Sequence, residues 1–368
     1  MRRLLIAALV LLGATRAYAY PQFQLSKDQT CSDCHLSPAG GGQLSENGLN
    51  VADGIAQWNG APEFLHDKLP LPKWLTLGGD LRVAAGLDNA AAKAEFAAFP
   101  MEGELYANAR LASHYSLHAT LGLRDPQTGN TATTIVFSRE HWLQWQENEN
   151  DPNGMFVRVG RMMPVYGLRF IEHPDYTRRY GGTPLYSETY AAAADYIQQQ
   201  WEFHATAFIR DPIATDSIEQ GNGVALYTEY RVTPTTSIGL EAMFKEERDD
   251  DKGFFGATAK HLIGENLLVE AELQGVHQKI DAGGVANQSI GYVMGSYFVK
   301  NFMVDLGLGY YDENLAVKQD DRDLVDLNLH WFTTSHLELL LTNRYQAIGF
   351  GSGGSASYYS LLQIHYRL

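Results

Sequence analysis

The fold is decided by stretches such as Phe302-Met303-Val304-Asp305-Leu306-Gly307-Leu308-Gly309-Tyr310. The even-numbered positions are large and apolar, whereas the odd-numbered positions include an aspartate and two glycines. This period of two is typical of a β-strand whose two faces meet different surroundings. Because a soluble sandwich produces the same alternation, the connections between such stretches must separate the two architectures.

The alternation returns sixteen times from residue 75 to the end. Connections after even-numbered stretches are mostly tight, as at Gly264-Glu265, whereas those after odd-numbered stretches are long and polar, as from Glu246 to Lys252 and from Gln278 to Ala286. Outer-membrane barrels sort their loops in this way, with short periplasmic turns and longer outer loops. The sequence therefore predicts an all-β fold, an antiparallel outer-membrane barrel of about sixteen strands over residues 73–368. The stretches are 75–88, 101–112, 115–125, 133–147, 155–167, 189–198, 201–209, 222–232, 236–247, 253–263, 266–277, 287–300, 302–314, 323–335, 337–348 and 357–368.

The same alternation predicts a polar lumen in which both signs of charge are present. The longest outer connection, Leu168 to Glu188, occupies the position of the loop that commonly folds into the channel of sixteen-stranded porins. An inward fold would bring Glu172, His173 and Asp175 near the pore axis, and a solvated loop is the alternative. The charged residues on the polar face are Glu104, Arg110, Arg124, Glu229, Arg231, Glu241, Lys245, Lys260, Glu270, Glu272, Asp305, Asp326, Glu338 and Arg344.

Cys31-Ser-Asp-Cys34-His35 contains the only two cysteines of the 368 residues. The spacing and the trailing histidine are those of a c-type haem attachment site. The two thiols would form thioether bonds to one haem c, and His35 would be the proximal ligand of its iron. A redox disulfide or a zinc site is the alternative, although the flanking sequence lacks a thioredoxin-like βαβ pattern and further ligands at short spacing.

Residues 1–19 have the pattern of a secretory signal peptide. Arg2 and Arg3 precede an apolar run from Leu4 to Leu12, and Ala17-Tyr18-Ala19 offers a small-residue cleavage site. Removal of this peptide and its three arginines leaves 25 basic residues against 43 acidic ones. This balance disfavours nucleic acid and suits a surface that meets cations. After residue 19 no apolar run is long enough for a transmembrane helix.

Residues 20–72 form a monohaem cytochrome c segment that is too short to bury a core of its own. We expect a short helix from Gly48 to Trp58 and packing of the segment into the periplasmic mouth of the barrel. The second axial ligand is assigned first to His66, which is the only other histidine of the segment. The barrel offers His118, His204, His330, His365, Met162 and Met163 as alternatives.

An exported chain with this motif near its mature terminus and a porin-like barrel behind it resembles the fused monohaem cytochrome-porins of the bacterial outer membrane, best known from iron-oxidising bacteria. The resemblance covers the layout of the mature chain, and the residue-level match is confined to the haem segment. It implies electron transfer between an external donor, such as Fe(II), and a periplasmic cytochrome. Residues Leu36 to Gly42 are glycine-rich where the iron-oxidising members carry a Phe-Pro-containing stretch, which leaves the donor open.

Two functions follow from these expectations. The first is an electron-transfer protein embedded in outer-membrane lipid, with Fe(II) oxidation as one form of the activity. The alternative is a general or anion-type diffusion porin with a structural haem. No motif indicates an oligomeric state. In the first case, acidic lumen residues would attract a cationic donor. These residues are Glu241, Glu270, Glu272 and Asp305.

Overall fold

The computed structural model describes residues 21–89, 95–123, 136–149, 151–170, 175–184, 187–212, 221–281, 283–318, 321–348 and 355–368. Within them sixteen antiparallel strands pair in sequence order, and the first pairs with the last to close a barrel. The predicted fold is therefore confirmed. The strands are β1 (Leu75–Asp88), β2 (Glu95–Ala112), β3 (Tyr115–Leu123), β4 (Val136–Gln146), β5 (Gly154–Met162), β6 (Thr189–Ile197), β7 (Trp201–Ile209), β8 (Asn222–Thr233), β9 (Thr236–Glu246), β10 (Asp250–Ile263), β11 (Leu267–Ile280), β12 (Val285–Val299), β13 (Phe302–Asp312), β14 (Arg322–Thr334), β15 (Leu337–Ile348) and β16 (Ala356–Arg367).

The wall of the barrel inverts the burial pattern of a soluble protein. In β13, Leu306 and Leu308 are 53% and 54% exposed on the outside, while Asp305 on the lumen side is 2% exposed. Large apolar side chains lie on the outer face of strands all around the barrel. An outer surface of this kind is typical of a barrel surrounded by lipid. Closure satisfies the backbone groups that no lipid could pair. The chain is thus an outer-membrane β-barrel.

The connections sort by length as predicted, with exceptions on both sides. The turn 147–153 is longer than the other connections at its end of the barrel. The outer connections expected from Glu246 to Lys252 and from Gln278 to Ala286 are only 247–249 and 281–284, because the strands on either side continue to pair beyond the predicted ends. The end with the short turns, which is periplasmic in such barrels, also holds the start of β1 and the end of β16.

The N-terminal segment, described here from residue 21 to 72, contains helices α1 (Gln22–Ser26), α2 (Cys31–Cys34) and α3 (Glu46–Ile55), followed by a 3₁₀ turn (Phe64–Asp67). No helix in the described part of the chain is long and apolar enough to cross a membrane. As expected, the segment packs into the barrel instead of standing apart from it. Phe23, Ala52 and Ile55 form a buried cluster with Met303 and Phe332 of the wall.

The described residues of the third outer connection, 163–170, 175–184 and 187–188, fold into the lumen, and we call them the inward loop. It includes the one-turn helix α4 (Tyr176–Arg179). Its apolar side chains pack on the inner wall in one buried cluster with residues of β4 to β14. Asp175 is 1% exposed and pairs with Arg344 of β15 at 2.5 Å. The inward fold is therefore confirmed, and the loop begins five residues earlier than predicted because β5 ends at Met162.

Three expectations fall on parts of the chain that the structure does not describe. The signal peptide of residues 1–19, Arg124, and the loop residues Glu172 and His173 lie outside the described residues. Of the other predicted lumen charges, Arg110 is exposed at the end of β2, and the rest are buried inside the barrel.

Candidate functional site

The two cysteines lie one helical turn apart on α2, and local sequence holds that turn in place. Thr30 and Asp33 form a capping box, in which the Asp33 carboxylate accepts from the Thr30 amide at 2.6 Å and the Thr30 hydroxyl accepts from the Asp33 amide at 3.3 Å. Residues three apart on a helix share one face. The turn therefore presents the side chains of Cys31 and Cys34 together.

Helix α3 supports this turn from behind. The Ser45 amide donates to the Cys34 carbonyl oxygen at 2.9 Å, and the Ser45 hydroxyl donates to the Asp33 carbonyl at 2.6 Å. Gly48 packs so closely that a Cβ there would lie 2.1 Å from the Cys34 carbonyl oxygen. The position of the motif therefore depends on the absence of a side chain at residue 48.

Cys31, Cys34 and His35 all line a cavity of about 420 Å³ inside the barrel. The cavity reaches from Ser335 and Leu368 at the periplasmic end to Met163, which follows the outer end of β5. Such a volume is within the range of cofactor and ligand sites. The motif is thus enclosed by the barrel and faces a space that continues toward the outside.

Three consecutive glycines form one side of this cavity. Gly40, Gly41 and Gly42 have positive φ angles of 77°, 73° and 59°, which L side chains rarely adopt. They close a loop between His35 and Leu44, which are bridged in antiparallel fashion. A Cβ on Gly40 would lie 3.6 Å from the Cys31 sulfur, whereas Gly41 and Gly42 border open space. The glycine run lets the backbone turn tightly beside the motif.

The two thiols are free and are not joined by a disulfide. Burial raises the pKa of each to about 12, with a further contribution from Glu202 at Cys31 and from Asp33 at Cys34. Redox-active Cys-x-x-Cys pairs need a lowered thiol pKa, so this environment does not suit disulfide exchange. Within the described residues, no group of three or more His, Cys, Asp and Glu side chains is arranged to hold a metal ion, which gives no support to a zinc site.

The residues around the cavity fit a covalently attached haem. Burial lowers the pKa of His35 to about 4, and Arg367 adds to the shift while the Gly41 backbone opposes it. The imidazole is therefore neutral near pH 7, which is the form that binds iron. Arg158 lines the cavity, is 2% exposed, and has a buried Nη2 without a hydrogen-bond partner. A buried unpaired donor is costly, and the acidic propionates of a haem would satisfy it.

Charged side chains of the wall hold the motif in the lumen. Arg158 bridges Asp195 at 3.0 Å and the Ser37 hydroxyl at 3.1 Å. Arg169 of the inward loop donates to the Ala39 carbonyl at 2.7 Å, pairs with Glu202 at 2.7 Å and lies 3.8 Å from the Cys31 sulfur. The motif is therefore clamped between the wall and the inward loop.

Two β-bulges direct additional side chains into the cavity. Arg82 pairs with Glu102 and Val83 with Pro100, which leaves Met101 as the extra residue of β2. On β4, Arg139 and Glu140 together oppose Thr120 of β3. Both members of each pair, Met101 with Glu102 and Arg139 with Glu140, line the cavity. The sequence analysis named none of these four residues. Strict alternation includes Glu102, which has the parity of Glu104, but it cannot add Met101 beside Glu102 or Arg139 beside Glu140, because a bulge shifts the inward-outward pattern by one residue.

The outer part of the cavity is rich in carboxylates. Glu102, Glu104, Glu140 and Glu188 line it, and Arg139 pairs with both Glu104 and Glu188 at 2.5 Å. The predicted cation-attracting residues lie elsewhere. The Glu272 carboxylate accepts from the Leu168 amide at 3.0 Å, and Glu241 lies beside Gly167, so these two contact the inward loop. Glu270 and Asp305 are buried in the wall and do not line the cavity.

The structure does not bring His66 to the motif. This residue is exposed at the periplasmic rim, where its Nε2 lies 3.0 Å from the Tyr366 hydroxyl and its ring lies 3.9 Å from the ring of His336. The first choice for the second axial ligand is therefore placed outside the cavity, because the chain leaves the lumen before residue 66.

The alternative histidines face the lumen as predicted but are engaged there. His204 lies between Asp195 and Glu202, and His330 lies between Asp305 and Glu338. His118 stacks on Trp142 with ring centroids 4.5 Å apart. None of these three lines the cavity, and His365, which does, is considered below.

No family model matches the sequence, and no curated protein matches it significantly. Solved structures match with high probability. The chain has the fold of an outer-membrane porin. It is similar to the anion-selective porin from Comamonas acidovorans, with a TM-score of 0.63 and 13% identity over 80% of this chain and 99% of that one. It is similar to OmpT of Vibrio cholerae in its trimer form, with a TM-score of 0.61 and 13% identity over 80% and 99%. Salmonella typhi OmpF, in complex with daunomycin, matches with a TM-score of 0.61 and 10% identity over 80% and 97%.

Proposed function

We propose that this barrel is an outer-membrane electron-transfer protein that carries one haem c on Cys31 and Cys34, with His35 as proximal ligand. The observation that carries the proposal is the enclosure of all three residues in a cavity within the lumen. A haem attached there would supply a centre that accepts and releases one electron. A motif outside the barrel could serve the periplasm alone, whereas this one faces a space that reaches toward both ends.

The distances across the membrane favour this position. The apolar band of an outer-membrane barrel is about 25 Å tall, so a single redox centre at one rim would leave most of that thickness to be crossed. The cavity spans from Phe64 and Ser335 near the periplasmic rim to Glu140 and Met163 in the outer half. A small donor would approach through the outer half, and a periplasmic cytochrome would accept the electron at the rim.

The charges of the outer part suit a cationic donor. Glu102 and Glu140 face the cavity, and Glu102 pairs with Arg82 at 3.4 Å. The described lining as a whole holds eight Lys and Arg side chains against five Asp and Glu side chains, so the attraction for a cation is local to these carboxylates. Like charges focused in a cleft raise the local concentration of an opposite ion. In the proposed reaction one Fe(II) loses one electron and leaves as Fe(III), while one oxidised periplasmic carrier gains that electron. No proton has to move.

A diffusion channel with a structural haem is the second candidate, and the fold favours it, because one similar structure is named an anion-selective porin. The contents of the lumen argue against a wide channel. The N-terminal segment binds the wall through Arg158 and Arg231, and the inward loop binds it through Arg344. Both occupy space through which solutes would diffuse.

Covalent haem is tested first, on protein exported in a host that matures c-type cytochromes. The denatured wild-type chain should retain haem-dependent peroxidase stain, and the pair Cys31→Ala with Cys34→Ala should abolish it. Heat-dependent gel mobility of both samples controls for barrel folding. Haem that acid acetone extracts from the wild-type protein would contradict the proposal.

The route of the electron is tested in liposomes with the outer loops facing outward. Fe(II) added outside should reduce the haem promptly, and Glu102→Gln with Glu140→Gln should slow this reduction severalfold. Glu265→Gln is the matched control, because Glu265 is exposed in the periplasmic turn between β10 and β11. Haem that responds only to reductants on the periplasmic side would favour the diffusion channel.

A further inference from the structure

A haem held as proposed above would take its second axial ligand from the side chains that line the cavity. The inference below therefore rests on the proposed function. Histidine and methionine are the usual partners of a proximal histidine in c-type haem proteins. Among the described residues, besides His35, the cavity is lined by two methionines and one histidine of the barrel and inward loop. These are Met101, Met163 and His365.

His365 is unsuitable because carboxylates engage both of its ring nitrogens. Its Nε2 lies 2.7 Å from Asp80 and its Nδ1 lies 3.2 Å from Glu338. Both ring nitrogens are therefore engaged by carboxylates, and neither is free to bind iron. To bind iron, His365 would have to give up one of these partners inside the wall.

Met163 is tied to the inward loop. Its sulfur accepts a hydrogen bond from the Ser187 hydroxyl at 3.0 Å, and its amide donates to Glu140 at 3.2 Å. The Ser187 contact fixes the start of the loop to its end, and the Glu140 contact fixes the start of the loop to β4. The same sulfur could bind iron only by releasing Ser187.

Met101 occupies the cavity for a different reason. It is the extra residue of the β2 bulge, between Pro100 and Glu102, which pair in order with β1. Without the bulge, only one of two successive residues could face the lumen, yet Met101 and Glu102 both line the cavity. Bulges next to functional sites commonly re-aim a side chain. Here the result is a flexible thioether that borders the cavity.

We propose that Met101 is the distal ligand of the haem iron, opposite His35. Methionine ligation raises the potential of a haem, which suits an acceptor of electrons from a weak external reductant. It also closes the sixth coordination position, so that small ligands such as carbon monoxide compete poorly. The bulge of β2 then serves to direct the Met101 sulfur toward the iron.

Met101→Leu tests the assignment, because leucine keeps the size of methionine and removes the sulfur. The variant should retain covalent haem, lose the methionine-dependent absorption band of the ferric state, bind carbon monoxide readily and show a lower reduction potential. Met101→His should retain six-coordination with a changed spectrum, which guards against a folding artefact. Met155→Leu, on the lipid face of β5, is the matched control and should behave as wild type.

The outcomes separate this inference from the proposed function. A wild-type chain without covalent haem overturns both. Covalent haem with an unchanged spectrum and unchanged carbon monoxide binding in Met101→Leu overturns the ligand assignment alone. A loss of the methionine band in Met163→Leu, with Met101→Leu unaffected, does the same and assigns Met163 instead.

Discussion

Single atoms decide whether the Cys31–His35 motif can face the cavity. The Cys34 carbonyl oxygen accepts from Ser45, and the backbone of Gly48 lies directly behind it. Because Gly48 is in α3 with no positive φ, its glycine serves close approach and not backbone conformation. The geometry of the Cys31–His35 motif is therefore set partly by Gly48, which lies fourteen positions after Cys34.

Gly48→Ala should displace α3 from α2. A Cβ 2.1 Å from the Cys34 oxygen cannot be accommodated without a backbone shift, and overpacking of this kind costs about 1–3 kcal/mol. We expect a lower haem content per barrel, measured by haem absorbance against protein mass, with normal heat-modifiable mobility. Gly295→Ala, where a Cβ meets nothing within 4 Å, should leave haem content unchanged. Equal haem content in the two variants would contradict this account.

Among the elements, the junction of β1 and β16 carries a chain of polar contacts around the lumen. Asp80 of β1 lies 2.7 Å from His365 of β16, accepts from the Tyr106 hydroxyl of β2 at 2.7 Å, and lies 3.6 Å from Arg367. The chain continues through Glu338 to His330. These contacts join the first strand of the barrel to the last, where no covalent connection does.

Asp80→Asn should weaken this junction. The amide keeps the size of the carboxylate but loses its charge, so His365 and Arg367 lose an anionic partner, and hydrogen bonds to charged groups contribute about 1.5–3 kcal/mol each. The variant should convert to the unfolded gel form at a lower temperature than wild type. Asp251→Asn on β10, which is half-buried, is the control. An unchanged conversion temperature would show that the backbone pairing of β1 with β16 suffices.

The elements also show what the sequence could predict and what it could not. Alternation predicted the strands and the lumen face, because the period of two is a local property of each strand. It could not predict that Met101 faces the cavity beside Glu102, because a bulge depends on pairing with a neighbour. His66 was expected at the iron because it is near the motif in sequence, but the path of the chain out of the lumen is a tertiary property that spacing does not report.

At the scale of the whole molecule, two segments divide the lumen between them. The N-terminal segment occupies the periplasmic half, where Arg231 holds Asp28 at 2.7 Å and Trp58 pairs with the backbone of β14. The inward loop packs on the wall from β4 to β14. Among the described residues, the cavity is lined mainly by β1 to β5, the N-terminal segment, the inward loop and the end of β16. The barrel thus encloses a site and leaves little room for a channel.

A filled lumen predicts a small ion conductance. In planar bilayers the wild-type protein should conduct far less than an open sixteen-stranded porin. Asp175→Ala removes one of the two carboxylates that Arg344 holds, while Asp326 at 2.6 Å remains. The change should loosen the inward loop, since a hydrogen bond to a charged group contributes about 1.5–3 kcal/mol. We expect a severalfold rise in single-channel conductance with unchanged heat-modifiable mobility, whereas Asp251→Ala should conduct as wild type does. A wild-type conductance equal to that of an open porin would mean that solutes pass the segments inside the barrel. That result would favour the diffusion-channel function over electron transfer.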